Sequence, residues 1–534
     1  MNRAPEPHVW EINHISYLEW IATEETTSVG PLGTHSPIKI SVIMPVMDPE
    51  PEILSETLSA IYAQHHTNWE LCIVDDGSKD PDVIRELQDA AKSKVNVSLH
   101  RFEENQGISA ASNAALKMAT GTFVALVDHD DRIPKHALST VAHFINNYPA
   151  AKFLYSDSDH LDQNGNRCKP FFKPDWDYLR LLSQNYLNHL TIIKTSLIRS
   201  LGGWRDGFQG SQDYDLYLRI SEALHTEQIL HIPHILYHWR QVKGSAGRGN
   251  LAVAVHSARK AISEHLARKG LNGTVGPAGK ALIYNRVTWV RPVKRPKVLI
   301  VTYESLERKS KSALLRESTT SFDYTEMSID LKEGLDVFIG NINRSITTGA
   351  FNFLLVRSDA IVIEDLENLS DLIAISSTNQ FGVISARCID TEGRLSVGPI
   401  FENLPDSKSN ETPKQSTATS ISRGYVANLL IDQSVDRVSP KFFGIGIQAL
   451  MKINGRKSDC ESLDSWVRDL CVECRAEGLR NIWLWRDKFL DVGTKNTHQH
   501  SLDLGTATKA EERYLYNNEN FTKLNWTIHK KYLS

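Results

Sequence analysis

The chain has 534 residues, 41% hydrophobic and 23% charged, with a formal net charge of −4. That length is too great for one ordinary core and predicts two domains with terminal extensions. The charge balance gives no general affinity for nucleic acid, and no apolar run nears the ~20 residues a membrane-spanning helix needs.

The opening "MNRAPEPHVWEINH" lacks the apolar centre of a signal peptide, so the expected location is cytoplasmic, with the inner face of the plasma membrane left open. The cysteines, Cys72, Cys168, Cys388, Cys460, Cys471 and Cys474, are too sparse for a disulfide framework and fit a reducing compartment. Cys471 and Cys474 have CxxC spacing, but no second close pair completes a zinc site. Small apolar residues on one helical face explain them better.

In chain order, residues 1–37 read as an N-terminal arm. From Ile38 the pattern becomes strand–helix alternation. "IKISVIMPV" is a buried strand ended at Pro45, and "PEILSETLSAIYAQ" has helical spacing at Leu54, Leu58, Ile61 and Tyr62. "WELCIVDDGS" is a second strand running into acids, and "VSLHRF" a third. "NQGISAASNAALKMATG" predicts a helix with Asn105 as cap and Gly121 as stop. "TFVALV" is the fourth strand and delivers "DHDD". Such alternation predicts an α/β fold, a mostly parallel sheet flanked by helices, whose ligands gather beyond the carboxyl ends of the strands. Asp48, the pair Asp75 and Asp76, and the pair Asp128 and Asp130 all fall at that edge.

Residues 272–296, ending "VRPVKRP", read as a linker or β-rich exit, and "KVLIVTYE", "LDVFIGNI" and "FNFLLV" begin a second series. "ENLPDSKSNETPKQSTATS" reads as a surface loop, and the end of the chain as a docked helix. The expected domains are 38–290 and 296–495, followed by a tail over 496–534.

Asp128 and Asp130 are two apart, so in extended backbone their carboxylates point the same way. A divalent cation between them would remove their repulsion and leave positions for phosphate oxygens. Oxygen ligands suit Mn²⁺ or Mg²⁺ better than zinc. Taken alone, "DHDD" is a charged turn; its place after "ATGTFVALV" and the matching "IVDDGS" favour the cation.

The blocks "ISVIMPVMDP", "WELCIVDDGSKD", "NQGISAASNAAL", "ATGTFVALVDHDD", "YSDSD", "FKPDW", "GSQDYDLYLR" and "YHWR" occur in order. Together they resemble family 2 glycosyltransferases, inverting enzymes of the GT-A fold, and most of all the two-domain members associated with O-antigen and other surface polysaccharides. The resemblance implies transfer of a sugar from a nucleotide-diphosphate donor to a glycan or lipid-linked glycan, with Mn²⁺ or Mg²⁺. It involves no nucleic acid, and leaves peripheral membrane or partner-protein association open. It implies Asp213 as general base, although the family often carries Glu where this chain has Gln212. Pro45, Asp48, Asp75, Asp76, Asn113, Asp128 and Arg240 would bind the nucleotide sugar, the Asp75–Asp76 pair being preferred to Asp48 for the base. Asp130 and His238 would hold the metal, and Arg240 with Ser245 the diphosphate. Asp157 and Asp159 share a face by strand alternation and, with Asn185, Tyr186 and His189, would contact acceptor or donor sugar; for the last three, core packing and capping are equal alternatives.

Aligning "TTGAFNFLLVRSD" with "ATGTFVALVDHDD" through Gly349 and Gly121 sets Asp128 against Val356, His129 against Arg357, Asp130 against Ser358 and Asp131 against Asp359. In "WVRDLCVECRAEGLRNIWL", Val467 falls at the position of Asp213. The expectation is a second, degenerate GT-A-like domain without metal or base. Two other classes compete for the whole protein. A nucleotidyltransferase usually needs a glycine- and lysine-rich phosphate loop, which "VMDPEPEIL" lacks. A non-catalytic glycan-binding scaffold has no need of Asp128, Asp130, Asp213 and His238.

Overall fold

The computed structural model describes residues 17–18, 21–22, 36–240, 251–278, 281–290, 295–304, 321–363, 365–378, 380–390, 395–397, 432–453, 460–484 and 489–492. Ser245, the polar loop from Glu402 and the expected tail helix lie outside them. The chain divides into two compact units, one built on residues 1–176 and 185–269, the other on 177–184 and 270–519.

The first unit contains β1 (Ile40–Val46), β2 (Trp69–Asp75), β3 (Val97–Arg101), β4 (Phe123–Leu126), β5 (Phe153–Leu161), β6 (Arg167–Phe171), β7 (Thr191–Lys194) and β8 (Ile229–Arg240). Their order is β3-β2-β1-β4-β7-β5-β6, with β8 also on β5. The first four strands run parallel, β7 is antiparallel to both β4 and β5, and β8 is parallel to β5. Val42, Met44, Ile73 and Ala125 pack with Leu54, Leu58 and Ile61 from the helix Pro51–Tyr62 in one core. Proline starts that helix where an N–H is dispensable. Thr57 joins its buried face and donates its hydroxyl to the Asp131 carbonyl at 2.8 Å, tying helix to turn.

Three details differ from the sequence reading. β1 runs through Pro45 to Val46 instead of ending at the proline. The helix Ile108–Met118 is entered through Gly107 at φ +92°, not capped by Asn105. The carboxylate of Asp76 accepts the preceding amides instead, from Gln106 at 2.7 Å and Gly107 at 2.9 Å. Gly121 lies beyond the helix end, where a Cβ would stand 2.7 Å from the Lys39 carbonyl. Close approach of β1, rather than helix termination, demands glycine there.

The second unit opens with a hairpin, β9 (Gly273–Ala278) and β10 (Ala281–Trp289). Its main sheet uses β11 (Lys297–Glu304), β12 (Asp323–Asp330), β13 (Phe353–Ser358), β15 (Phe381–Ala386), β18 (Gln433–Ser434), β19 (Phe442–Gly446) and β20 (Arg480–Leu484), in the order β12-β11-β13-β19-β15-β20-β18. A smaller sheet holds β14 (Ile361–Ile363), β16 (Cys388–Asp390), β17 (Leu395–Val397) and β21 (Phe489–Asp491). Read β2-β1-β4-β7-β5-β8 against β12-β11-β13-β19-β15-β20 and every pair keeps its direction, parallel or antiparallel. The second sheet repeats the first.

The repeat corrects the ungapped alignment by two residues. Ile40 pairs with Phe123 on β4, and Val298 with Phe353 on β13, so Phe353 rather than Phe351 stands for Phe123. The helix Leu335–Gly349 absorbs its glycine, whereas Gly121 follows a helix already ended at Met118. By register Asp128 corresponds to Ser358, His129 to Asp359, Asp130 to Ala360 and Asp131 to Ile361.

Candidate active site

The "DHDD" turn leaves β4 beside β7. Extending the β4–β7 register two residues past the Leu126–Thr191 pair puts Asp128 opposite His189. Asp131 is fully buried, its carboxylate accepting the Tyr237 hydroxyl at 2.6 Å and the Arg240 amide at 2.7 Å. One ligand atom each from Asp128, Asp131 and His189 lies within 4.8 Å of the others. Burial, then Asp130, then Asp213 push the Asp128 carboxyl up to about 8. Burial with Asp128 and Asp130 raises Asp131 well above the carboxylate range. Among the described residues no Lys or Arg forms an ion pair with Asp128 or Asp130. Crowded, unpaired acids beside an imidazole held neutral by burial (its basicity lowered to about 3) suit a divalent cation.

The expected partner of Asp130 was His238, and alternation along β8 decides otherwise. Tyr237 turns toward Asp131 and stacks on His189 with ring centroids 4.6 Å apart. His238 turns to Asp159, which accepts its Nδ1 at 2.6 Å. Among the described residues the imidazole grouped with the acids is therefore His189, expected as a sugar contact. Asp159 is itself sealed: Tyr17 donates to it at 2.6 Å and Arg167 at 2.5 Å. Burial opposes its charge, but His238 and Arg167 outweigh burial and hold the carboxyl below its ordinary range. Asp157 is buried too, accepting His231 Nε2 at 2.8 Å and the Lys173 amide at 2.7 Å. Both acids are buried in the sheet, and among the described residues Asp157 Oδ2 has no hydrogen-bond partner. Among the described residues Asn185 Oδ1 is buried without a hydrogen-bond partner, and Tyr186 packs edge-on against Tyr155 at 5.7 Å.

Asp213 occupies the second position of the helix Gln212–Ala223, where the dipole favours a carboxylate. Trp204 Nε1 donates to it at 2.7 Å, and burial raises its basicity despite that bond. Asn113, expected at the nucleotide, instead clamps the Trp204 backbone, donating to its carbonyl at 2.7 Å and accepting its amide at 2.9 Å. Gly203 makes the clamp possible, since at φ +72° a Cβ would meet Asn113 Oδ1 at 2.1 Å. Gly203→Ala is expected to cost about 1–3 kcal/mol of stability by thermal unfolding, and to lower turnover by displacing Trp204 from the base.

The remaining nucleotide candidates build the floor of the sheet edge. Asp48, at φ +37°, accepts the Lys79 and Asp80 amides at 2.7 and 3.0 Å. Asp75 accepts Ser78 N–H at 2.9 Å and Arg101 Nε at 2.8 Å. With Asp76 spent on the loop ahead of its helix, the preferred pair is structural in its nearest contacts. The Pro45 carbonyl meets the His129 ring at 3.1 Å, and Arg240 Nε donates to the Asp130 carbonyl at 2.9 Å.

The second unit answers this site with fixed charge. The β13–β19 register sets Lys441 opposite Ser358, as His189 stands opposite Asp128, and the Ser358 amide donates to the Lys441 carbonyl at 2.8 Å. The Lys441 ammonium pairs with buried Asp491 at 3.0 Å, and Ser396 also bonds that carboxylate. Counting from the helix starts, Asp464 in Leu463–Ala476 occupies the place of Asp213, not Val467, and Arg437 holds it at 2.6 Å. The acid survives, but as half of an ion pair. Cys471 and Cys474 are buried on that helix, as the plainer reading expected. Mn²⁺ titration is expected to give one site per chain, and Lys441→Ala to leave that site's affinity unchanged.

This is an α/β protein with acids beyond β1, β2 and β4, at the edge where sheets of this kind generally take their ligands. Residues 41–201 match the family described as glycosyl transferase family 2. An uncharacterized protein, y4gI, of Sinorhizobium fredii is 30% identical over 92% of this chain and 56% of its own length. The O-antigen biosynthesis protein RfbC of Myxococcus xanthus is 37% identical over 49% of this chain and 20% of its own. The chain thus spans about half, or less, of these curated relatives. The crystal structure of S. aureus TarS 1–349 in complex with UDP-GlcNAc is 21% identical over 43% of this chain and 66% of that one, with a TM-score of 0.37. Among the described residues no helix is long and apolar enough to cross a membrane.

Proposed function

We propose that the first unit is a metal-dependent inverting glycosyltransferase moving a sugar from a nucleotide-diphosphate donor to a growing surface polysaccharide. The observation that carries it is the meeting of Asp128, Asp131 and His189 within electrostatic reach of Asp213. Asp128, Asp131 and His189 would hold a Mn²⁺ or Mg²⁺ ion, with Asp130 the further carboxylate beside them. Bound there, such an ion supplies positive charge for a diphosphate leaving group. Asp213 takes the proton of the acceptor hydroxyl as that oxygen attacks the anomeric carbon opposite the leaving group. Trp204 keeps the carboxylate aimed, and burial keeps it basic enough to accept the proton. The relative with an O-antigen role supports a polysaccharide acceptor, and lipid-linked glycan is the form to try first.

The test is diphosphate release from a panel of nucleotide sugars, with Mn²⁺ or Mg²⁺ and with or without lipid-linked glycan. Release that needs both cation and acceptor supports the reading. Cation-independent release, or none with any donor, counts against it.

A further inference from the structure

Lys173 is fully buried and takes no part in the proposed transfer. It belongs to the "FKPDW" block that follows β6. Its ammonium donates to the main-chain carbonyl of Asn188 and, at 2.8 Å, to that of His189. Its own amide is held by Asp157. Burying a lysine head is costly unless its protons find acceptors, so filling space is no reason to keep one where methionine would pack.

The choice of acceptors is informative. The Asn188 carbonyl belongs to the peptide group before the His189 Cα, and the His189 carbonyl to the one after it. One ammonium therefore pins both peptide planes that set the direction of the His189 Cβ. Beyond the Cβ, the ring stacks on Tyr237 at an interplanar angle of 21°, and the Tyr237 hydroxyl is fixed on Asp131. Backbone and ring are thus held independently.

We propose that Lys173 is a positioning residue, which fixes the main chain on both sides of His189 and so aims its imidazole at Asp128 and Asp131. This rests on the reading of His189 as nitrogen donor to the cation.

The test uses the full chain and Mn²⁺ binding without donor sugar, read from the paramagnetic resonance of free Mn²⁺. His189→Ala is expected to weaken binding about tenfold or more. Lys173→Met keeps the volume and loses the donors; it is expected to weaken binding severalfold, and to add no further loss in the His189→Ala background. Native Mn²⁺ affinity in Lys173→Met, or losses that add in the double variant, overturns the role of Lys173. Native affinity in His189→Ala instead removes the imidazole from the ion and the proposal with it. If the methionine variant does not fold, Lys173→Leu, which likewise lacks a donor, takes its place; native affinity there is equally fatal.

Discussion

Asp213→Asn is expected to lower kcat by ~10²–10⁴-fold while leaving Mn²⁺ and nucleotide binding intact. The amide preserves shape and can still accept from Trp204, so the helix start and the Asn113 clamp survive. Only proton acceptance is lost. Because burial raises the Asp213 pKa, the acid limb of the wild-type kcat/KM profile should lie above the ordinary aspartate range. Rate falls as pH drops through that value, since the protonated carboxyl is no base. Full transfer by the asparagine variant would take Asp213 out of the base role.

Asp128→Asn is expected to abolish measurable Mn²⁺ binding and to change how stability depends on pH. In the metal-free chain the Asp128 carboxyl, pushed up to about 8, stays protonated in the fold but ionises freely once unfolded. A raised folded-state pKa gives stability that is complete below the unfolded pKa and lost as pH rises toward the folded one. The metal-free melting temperature should therefore fall between about pH 4 and pH 8. The asparagine variant should show a flatter curve. Mn²⁺ must displace that proton, so wild-type affinity rises with pH up to about 8, by up to roughly tenfold per unit. Thermal unfolding across this window, with and without Mn²⁺, reads both effects. Equal slopes in wild type and variant would contradict the placement of Asp128.

The same carboxylates separate the two units. In the first, Asp128 and Asp130 are crowded together with no Lys or Arg paired to them among the described residues. In the second, Lys441 and Arg437 neutralise the corresponding region from within. Restoring a cation site there would take more than reinstating an acid at Ser358, because the residue opposite is a lysine already paired with Asp491.

Much of this was legible in the amino-acid order. Apolar runs ending in acids gave the parallel strands and the edge at which ligands collect, since burial on both faces demands uninterrupted hydrophobic residues and the turns that follow must be polar. The helix register of Leu54, Leu58 and Ile61 came from spacing alone. The position of Asp213 near a helix start came from its motif. The repeat in the second half was readable too, although its register was two residues out, because a ladder rather than a shared glycine decides which residues oppose.

What linear order could not settle was which polar groups would be spent on the fold. Asp76 is equally acidic whether it faces a ligand or caps a loop, and only the approach of Gln106 and Gly107 distinguishes the two. His238 and His189 are alike in sequence terms. Alternation along β8 turns the first toward Asp159, and the antiparallel pairing of β4 with the distant β7 brings the second to Asp128. Local pattern fixes what a segment can become; long-range pairing and the demand that buried polar groups find partners fix where each side chain is used.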